Sequence, residues 1–368
     1  MKKGKSFVAI SGICLALIIA VLPFASACAP GPSEEGPAAP AKAEYNWRFG
    51  MPFIGQVSRN ESCQLFCDLI NVYSDGRIKV EFYPDGLLGT HTEIFHAIQE
   101  GSLEFGNFAP YVDIIPGGML NWMPWTVGSY DEAAAAYAPD GMLFKVMTDA
   151  WDEVGGKLLF YTPMGPYGIG NNLRPLKTPD DFENIKFRVS GSLGFVRTVQ
   201  NMSEGTGLTC ETIPWADLYN ALERGVVDGC WSLWGSLVEE RHMEVLKYYT
   251  ALGFGWDANN VATNKELWDS LPADLQDAVW RAGRMAEERD YEVHRRAEMG
   301  FRKTVADAGV EIYYPTFEER EVFRENANMA AVWAELCDPW LNEHYPGQNM
   351  SQKLQDELAR ISAEVAGA

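Results

Sequence analysis

A single arginine near the end of a short alternating segment has the chemistry to bind an anion. In residues 184–192 (NIKFRVSGS), the apolar Ile185, Phe187 and Val189 alternate with polar residues, among them Arg188. This period of two is typical of a β-strand with one buried face. A guanidinium group offers a planar fork of N–H donors that matches a carboxylate. Two interpretations are open: the arginine lies on a solvated strand face, or it points into a cleft to bind an anion.

The five histidines do not form a pattern that predicts a metal site. His91 and His96 are five residues apart and do not share one face of a helix, so we interpret both as surface residues. His242 is isolated in the sequence, and no histidine or cysteine pair near Cys63 and Cys67 completes a zinc spacing. We therefore expect neither a metal ion nor another cofactor.

Familiar catalytic motifs do not occur in the sequence. We find no G-x-S-x-G motif, no P-loop and no G-x-G-x-x-G motif after a strand. Two pairs of adjacent carboxylates occur: we interpret Asp180 and Asp181 as a helix start, and Glu239 and Glu240 as a solvated turn. The sequence thus favours a binding protein over an enzyme. A secreted hydrolase or isomerase that uses a carboxylate in a cleft is a less favoured alternative.

The composition indicates an acidic chain with enough apolar residues for a packed core. The 368 residues carry a formal net charge of −21, and 47% of them are hydrophobic. One core rarely grows beyond about 250 residues, so the length favours two domains. The negative charge argues against a nucleic-acid partner, because phosphate binding needs a basic patch. A small anion can still be bound where individual arginines override the global field.

The first 27 residues have the features of an export signal. Three lysines precede a largely apolar run from Phe7 to Phe24, and small residues come just before Cys28. This arrangement resembles a bacterial lipoprotein signal, in which the cysteine is lipidated and becomes the mature N-terminus. Cleavage without lipidation and retention of the apolar run as a membrane anchor are the alternatives. Residues 28–43 are rich in proline and small residues, as expected of a disordered linker.

The five cysteines that follow Cys28 are few and widely spaced, and they do not indicate a disulfide framework. We interpret Cys63 and Cys67, four residues apart in a predicted helix, as buried thiols. A bridge between Cys210 and Cys230 stays open.

Strand and helix periodicities alternate along the body of the chain. Residues 45–110 give three strand patterns separated by two helical patterns, which implies an α/β unit with a largely parallel sheet. A second α/β unit begins near residue 178 and contains the Arg188 strand. Residues 271–309 predict one long helix, or two in near succession, of about 58 Å at 1.5 Å per residue. A helix of that length would span both domains.

Six segments, spread over roughly residues 45–335, together resemble one protein family. In their order and spacing they are similar to the DctP-type solute-binding proteins of tripartite ATP-independent periplasmic (TRAP) transporters. The segments are GRIKVEFYPDGLLG (76–89), IQEGSLEFG (98–106), TPDDFENIKFRVSGS (178–192), ADLYNALERGVVDG (216–229), EVLKYYT (244–250) and LWDSLPADLQDAVWRA (267–282).

The resemblance implies an α/β, two-lobed fold like that of periplasmic binding proteins, with a long helix spanning both lobes. We expect residues 44–166 and 258–297 in lobe I, and residues 167–257 and 298–368 in lobe II. The implied function is to capture a small organic acid outside the cytoplasmic membrane and deliver it to the small and large membrane subunits of a TRAP transporter. An extracellular sensory module would have the same fold and pocket, and stays open as an alternative.

The resemblance also implies the residues of the pocket. It places the carboxylate-binding role on Arg188 and an aromatic wall on Trp215. Trp231 stands where members that bind their ligand through a metal carry a glutamate, so a metal-bridged site is not expected. An aromatic wall around one arginine favours a monocarboxylate with an apolar or aromatic body over a hydroxylated sugar acid. The further expected pocket residues are Ser232, Tyr167, Asn171, Asn107, Phe108 and Trp256.

Overall fold

The computed structural model describes residues 43–109, residue 115 and residues 120–367. The predicted export signal, Cys28 and nearly all of the predicted linker lie outside these residues and stay predictions. No helix within the described part of the chain is both long enough and apolar enough to cross a membrane.

One mixed β-sheet runs through the described body. In chain order its nine strands are β1 (Tyr45–Gly50), β2 (Ile78–Tyr83), β3 (Phe105–Phe108), β4 (Gly156–Asn171), β5 (Lys186–Val189), β6 (Thr209–Thr212), β7 (Gly229–Leu233), β8 (Tyr248–Asn264) and β9 (Glu311–Tyr313). Their spatial order is β2-β1-β3-β8-β4-β7-β5-β6, and β9 pairs with β8. The pairs that β1 forms with β2 and β3, and β5 with β6 and β7, are parallel.

Two long antiparallel strands, β4 and β8, join the two halves of the sheet. They pair from Gly156 opposite Asn264 to Asn171 opposite Tyr248, with irregular register in between. One end of this pair continues through β3 into β1 and β2, and the other continues through β7 into β5 and β6. Each half is thus an α/β unit with parallel outer strands. The two-lobed α/β fold that the sequence predicts is confirmed.

Thirteen α-helices accompany the strands in the described residues. They are α1 (Val57–Tyr73), α2 (His91–Gln99), α3 (Tyr130–Ala136), α4 (Met142–Glu153), α5 (Leu193–Met202), α6 (Leu218–Glu223), α7 (Trp234–Glu239), α8 (Lys265–Ser270), α9 (Ala273–Asp307), α10 (Phe317–Ala327), α11 (Met329–Leu336), α12 (Asp338–His344) and α13 (Met350–Gly367).

The long helix α9 connects the cores of the two lobes. It has 35 residues and is about 52 Å long at 1.5 Å per residue. Near its start, Leu275 packs in the apolar cluster that contains Phe49 of β1. Near its end, Val305 packs in the cluster that contains Cys230 of β7. The sequence predicts either one helix or two in this region, and the structure has one.

The residues around position 90 determine where α2 begins, and the start of this helix borders the cleft. The hydroxyl of Thr90 accepts a hydrogen bond from the backbone of Glu93, and the Glu93 carboxylate accepts one from the backbone of Thr90. This capping box satisfies N–H groups that a helix start leaves without partners. Gly106 of β3 lets the helix pack closely, because a Cβ atom there would lie 2.5 Å from the side chain of Ile94. Together these contacts hold His91 at the first position of the helix.

The parallel pairing predicted for residues 45–110 is confirmed, since β1 pairs in parallel with β2 and β3. The antiparallel centre of the sheet, where β8 returns along β4, is not predicted from the sequence. The sequence pattern also does not predict β8 as a long strand. Cys210 and Cys230 are both free thiols, so they form no bridge. Cys63 and Cys67 are buried and free, as expected.

Candidate functional site

A cleft of about 560 Å³ lies between the two lobes, where parallel strands of both end. Ligands of open α/β sheets bind preferentially at this edge. A small adjoining cavity of about 20 Å³, here called the narrow extension, shares Arg188 and Trp215 with the lining of the cleft and is also lined by β4, β7 and β8. The lining of the cleft comes from five short stretches, within residues 52–55, 90–92, 188–191, 212–219 and 239–242.

A second, larger cavity of about 780 Å³ opens beside α10 and α13. Its two arginines, Arg320 and Arg324, are half-buried and exposed, respectively. We place the candidate site in the smaller cleft, because that cleft contains the almost completely buried guanidinium of Arg188.

Arg188 lies at the floor of the cleft, near the end of β5. The residue is 1% exposed, and its Nε donates a hydrogen bond of 2.8 Å to the carbonyl of Ile213. Its Cζ atom lies 5.2 Å from the ring centre of Trp215 and 5.7 Å from that of Trp231. Contacts between a cation and an aromatic face strengthen when both are withdrawn from water. The guanidinium is therefore fixed in place at a position suited to bind a carboxylate.

Two uncharged histidines border the cleft near Arg188. Desolvation lowers the pKa of His91 to about 3, and the charges of Arg59 and Arg188 contribute. Desolvation and the charge of Arg188 likewise lower the pKa of His242 to about 3. The Nδ1 atom of His91 accepts a hydrogen bond of 3.1 Å from the backbone N–H of Ala109, which leaves its proton on Nε2. At neutral pH both imidazoles offer polar groups without adding charge.

Two carboxylates, Glu239 and Glu240, line the wall of the cleft at the end of α7. Glu239 accepts hydrogen bonds from the backbone N–H and the hydroxyl of Ser58, at 3.3 and 3.1 Å. Glu240 accepts one of 2.8 Å from Nε2 of Gln56 and another from Nε1 of Trp215. Glu240 does lie in a turn and both residues are partly exposed, as the sequence predicts, but their carboxylates are hydrogen-bonded in the cleft wall and are not simply solvated.

A buried ion pair lies at the deep end of the cleft. It joins Arg59 of α1 to Asp257 of β8, and the two side chains are 0% and 3% exposed. The hydroxyl of Tyr167 donates a hydrogen bond of 2.8 Å to Asp257, and Nη1 of Arg59 donates one of 2.6 Å to Gln56. Desolvation raises the pKa of Asp257, although the charge of Arg59 opposes this effect. The pair fastens the first helix to the central strand where that strand passes between the lobes.

Four residues of the predicted pocket lie together in the structure. Arg188, Trp215, Trp231 and Tyr167 all line the narrow extension of the cleft. They come from β5, the segment after β6, β7 and β4 respectively. The fold thus brings to one place side chains that are up to 64 positions apart in the sequence.

The predicted pocket residues Ser232 and Asn171 are not among the described residues that line the cleft. Ser232 alternates with Trp231 along β7, and its hydroxyl lies 3.2 Å from Nδ1 of His242. The side chain of Asn171 closes a turn, through hydrogen bonds with the backbone of Leu173 and Arg174.

The other three predicted pocket residues also have contacts away from the lining of the cleft, as the described residues define it. Asn107 donates a hydrogen bond of 2.8 Å to the hydroxyl of Thr162. Phe108 packs at a ring distance of 5.4 Å against Trp151 in the core. The ring of Trp256 packs edge-on at 4.9 Å against Tyr130.

Several polar residues of the cleft are not predicted from the sequence, among them His91, His242, Glu240 and Asp257. The interpretation of His91 as a surface residue is wrong, since it lines the cleft and is mostly shielded from solvent. A local signal was available for it, because the capping residue Thr90 starts α2 directly before it. Glu240 and His242 follow the end of α7, and Asp257 lies within β8. Their cleft neighbours are distant in sequence, and no local pattern marks them.

The cleft combines the fixed guanidinium of Arg188 with indole rings, uncharged imidazoles, the carboxylates of Glu239 and Glu240, and apolar side chains. No group of three histidine, cysteine or acidic side chains within the described ranges is arranged to hold a metal ion. A carboxylate is a group whose shape and charge match the guanidinium of Arg188.

Comparison with known proteins identifies a family. The family model described as "Bacterial extracellular solute-binding protein, family 7", named DctP, matches residues 57–338. The C4-dicarboxylate-binding periplasmic protein DctP of Rhodobacter capsulatus is 27% identical over 330 residues, which cover 87% of this chain and 89% of that relative.

Two solved structures share the fold. A TRAP periplasmic solute-binding protein from Roseobacter denitrificans with bound β-D-glucuronate superposes with a TM-score of 0.75 at 22% identity, over 84% of this chain and 99% of that one. An extracytoplasmic solute receptor of Bordetella pertussis that binds pyroglutamic acid superposes with a TM-score of 0.72 at 20% identity, over 85% of this chain and 99% of that one.

Proposed function

The chain belongs to family 7 of the bacterial extracellular solute-binding proteins, the DctP family, and on that premise we propose that it is an extracytoplasmic receptor for a small organic acid. In this proposal the protein binds the acid without converting it and delivers it to the two membrane subunits of a TRAP transporter. The observation that carries the proposal is the burial of Arg188 at the floor of the cleft, between the rings of Trp215 and Trp231.

In the proposed complex the carboxylate of the acid pairs with the guanidinium of Arg188. The carbonyl of Ile213 holds Nε and two indole rings flank the group, so it is oriented before the ligand arrives. Such preorganisation reduces the entropy lost on binding. A bidentate, charge-assisted pair is also stronger than a neutral hydrogen bond. His91 and His242 are uncharged at neutral pH and place no second positive charge there.

The body of the proposed ligand is apolar or aromatic and carries no second carboxylate. Trp122, Trp215 and Trp231 line the cleft and its extension, and flat or hydrocarbon groups gain free energy by packing on such rings. A second carboxylate would enter a cleft whose wall contains Glu239 and Glu240, whereas the other arginine of the lining, Arg241, is already paired with Glu244. Repulsion between like charges disfavours that ligand.

The relatives support the coarser part of this proposal. The Roseobacter protein has bound glucuronate, the Bordetella receptor binds pyroglutamic acid, and the Rhodobacter relative is named for C4-dicarboxylates. These ligands share a carboxylate and differ in the rest of the molecule. They favour an organic acid, whereas the preference for an apolar body rests on this chain's own cleft.

We place the hinge of the proposed receptor in the middle of β4 and β8. The lobe boundaries inferred from the sequence, at residues 166/167 and 257/258, fall where the register of these two strands is irregular. Rotation of the lobes about a few residues there would open the cleft to admit the acid and close it again. The long helix α9 would follow the motion, since it packs in both cores.

Binding of the preferred acids should raise the melting temperature of the purified protein. We expect larger shifts with benzoate, phenylacetate and 4-methyl-2-oxopentanoate than with D-glucuronate or succinate. A ligand at 100 times its dissociation constant adds about 2.7 kcal/mol to the free energy of unfolding, which corresponds to a shift of several degrees. A thermal-shift screen at pH 7 measures the effect.

Benzyl alcohol, which has the ring of benzoate without its carboxylate, is the matched control and should give no shift. If only sugar acids or C4-dicarboxylates raise the melting temperature, the argument from the aromatic wall is wrong. If no organic acid does so, the proposed function itself is wrong.

We also propose that a lipid on Cys28 tethers the receptor to the outer face of the cytoplasmic membrane. The full-length chain, expressed in a bacterial host, should then incorporate labelled fatty acid and sediment with the membrane fraction. The Cys28→Ser variant should lose the label and leave the membrane. Stable attachment needs more than one acyl chain or a second signal. A Cys28→Ser variant that stays with the membrane would indicate a retained apolar anchor instead.

A further inference from the structure

The end of α7 and the start of α1 contact each other across the cleft. Glu239 accepts hydrogen bonds of 3.3 and 3.1 Å from the backbone N–H and hydroxyl of Ser58. Glu240 accepts one of 2.8 Å from Nε2 of Gln56. Helix α1 follows β1 in one half of the sheet, and α7 follows β7 in the other. Opening the cleft would therefore break these bonds.

Glu240 differs from Glu239 because its second oxygen binds a residue of the candidate ligand site. Its Oε2 atom accepts a hydrogen bond from Nε1 of Trp215. The ring of Trp215 lies 5.2 Å from Cζ of Arg188 and 5.3 Å from the ring of His242. An indole has a single N–H donor. The direction of this one hydrogen bond therefore determines how the Trp215 ring is rotated within its plane.

The other oxygen of Glu240, Oε1, is connected to the buried ion pair through hydrogen bonds of Gln56. Gln56 donates to Glu240 through its amide nitrogen and accepts a hydrogen bond of 2.6 Å from Arg59 through its amide oxygen. Arg59 in turn pairs with Asp257 of β8. Glu240 is thus hydrogen-bonded to Trp215, which flanks Arg188 in one lobe. It is also hydrogen-bonded to Gln56 of the other lobe, which is bonded in turn to Arg59.

We propose that Glu240 is a positioning residue for ligand binding, which orients Trp215 against Arg188 and, through Gln56, holds the two lobes together around the bound acid. This inference rests on the proposed function, because it concerns the cleft that receives the acid. Glu240 acts through Trp215 and Gln56 and does not itself have to touch the ligand. Its hydrogen bonds form fully only in the closed cleft, so they contribute to closure.

Closure should be linked to the uptake of a proton by Glu240. In the closed form desolvation raises the pKa of Glu240 to about 7, although hydrogen bonds from Gln56, Ser236 and Trp215 and the charge of Arg59 oppose the shift. Opening the cleft admits water and returns the pKa towards its ordinary value of 4.5. Because the pKa is higher in the closed form, protonation favours closure. This contribution is complete below about pH 4.5 and is lost as the pH rises through about 7.

Other titratable groups near this contact also affect the pH dependence of closure, and their effects have to be distinguished from that of Glu240. Desolvation raises the pKa of Glu239. The pKa of His294 on α9 is also raised, because the effect of Asp290 outweighs that of desolvation. His242 does not titrate near neutral pH, since its pKa is about 3. Glu239 and His294 therefore add a background dependence on pH, which substitutions at Glu240 alone should leave in place.

The indole N–H of Trp215 reports on Glu240 without any ligand. In ¹H–¹⁵N NMR spectra, the signal missing from the Trp215→Phe variant identifies it. We expect this signal to titrate between about pH 4.5 and about pH 8 in the wild-type protein. In the Glu240→Gln variant it should not titrate, because an amide next to the indole binds no proton in this pH range. A signal that does not titrate, or that titrates equally in Glu240→Gln, would overturn the proposal.

Dissociation constants measured at several pH values show how protonation of Glu240 affects ligand binding. The ligand is benzoate, or the acid that gives the largest thermal shift in the screen. We expect binding about tenfold tighter at pH 6 than at pH 8 from Glu240 alone. Glu240→Gln should lose this tenfold contribution, and Glu240→Ala should bind about tenfold more weakly than Glu240→Gln. Glu335→Gln is the matched control. It removes a carboxylate paired with Arg197 on the surface, away from the cleft, and should keep the wild-type pH profile.

If both Glu240 variants keep the wild-type affinity and pH profile, the role proposed for Glu240 is wrong and the proposed function still stands. If the proposed function is wrong, the wild-type protein binds none of the acids. In that case the Trp215 signal still tests the hydrogen bond to Glu240. If Glu240→Ala does not fold, as judged by near-ultraviolet circular dichroism, Glu240→Gln alone decides. Its side chain has nearly the same shape, and its single amide oxygen can accept from either Trp215 or Gln56, though not from both.

Discussion

Replacing Arg188 with alanine should weaken binding of the acid by between about 30-fold and about 5,000-fold. Removing one partner of a buried, hydrogen-bonded charge pair costs about 2–5 kcal/mol, because the other charge is left desolvated and unpaired. Arg188 meets this condition, since it is 1% exposed and the rings of Trp215 and Trp231 flank its guanidinium. Isothermal titration calorimetry at pH 7, with the acid that gives the largest thermal shift, measures the loss.

Two further variants separate the geometry of the guanidinium from its charge. Arg188→Lys keeps the charge but loses the planar fork, so we expect an affinity between those of the wild-type and Arg188→Ala proteins. Arg197→Ala removes the same charge from α5, where Arg197 is paired with Glu335 on the surface, and should bind like the wild type. If Arg188→Ala also binds like the wild type, Arg188 is not the carboxylate site, and the proposed function loses its main support.

Strand β5 and helix α9 are predictable because each is specified within one stretch of the chain. In β5, Phe187 and Val189 alternate with polar neighbours, and this period already indicates a strand. In α9, 35 residues follow one another without a proline, so the helical pattern is long enough to be recognised. The observed bounds differ from the predicted ones by only two residues at each end.

The central strand β8 is not predictable in the same way, because its partners are far away in the sequence. It pairs with β4 over most of its length, and Asn264 lies opposite Gly156. Within it, Gly253 and Gly255 interrupt the apolar pattern, and Asp257 and other polar residues follow. Propensity in a buried strand depends strongly on the neighbours it packs against. Those neighbours become known only with the fold.

Strand register explains why only part of the predicted pocket lies in the cleft. On β7, Trp231 and Leu233 line the narrow extension, whereas Ser232 between them does not. On β8, Asp257 lines it, whereas Trp256 packs elsewhere. Successive side chains of a strand point to opposite faces. A resemblance can therefore assign the correct strand to a pocket and still assign the wrong one of two neighbouring residues to its lining.

Replacing Asp257 with asparagine should lower the free energy of unfolding by about 3–5 kcal/mol. The substitution keeps the size of the side chain and an oxygen for the hydroxyl of Tyr167. It leaves the guanidinium of Arg59, which is fully buried, without its counter-charge. Burying an unpaired charge is costly, because water no longer solvates it. We expect a lower midpoint of urea unfolding and a melting temperature lower by about 5 °C.

The double variant Arg59→Met/Asp257→Asn removes both charges of the pair. Comparing it with Asp257→Asn separates the free energy lost with the ion pair from the cost of leaving Arg59 charged and unpaired. Apolar residues often replace a buried ion pair with little loss, so the double variant should be more stable than Asp257→Asn alone. The surface pair of Arg295 and Asp131, which are 49% and 62% exposed, supplies the control, and Asp131→Asn should leave the urea midpoint nearly unchanged. If Asp257→Asn is as mild as Asp131→Asn, water reaches Arg59 in the folded protein. The ion pair would then not be what fastens α1 to the central strand.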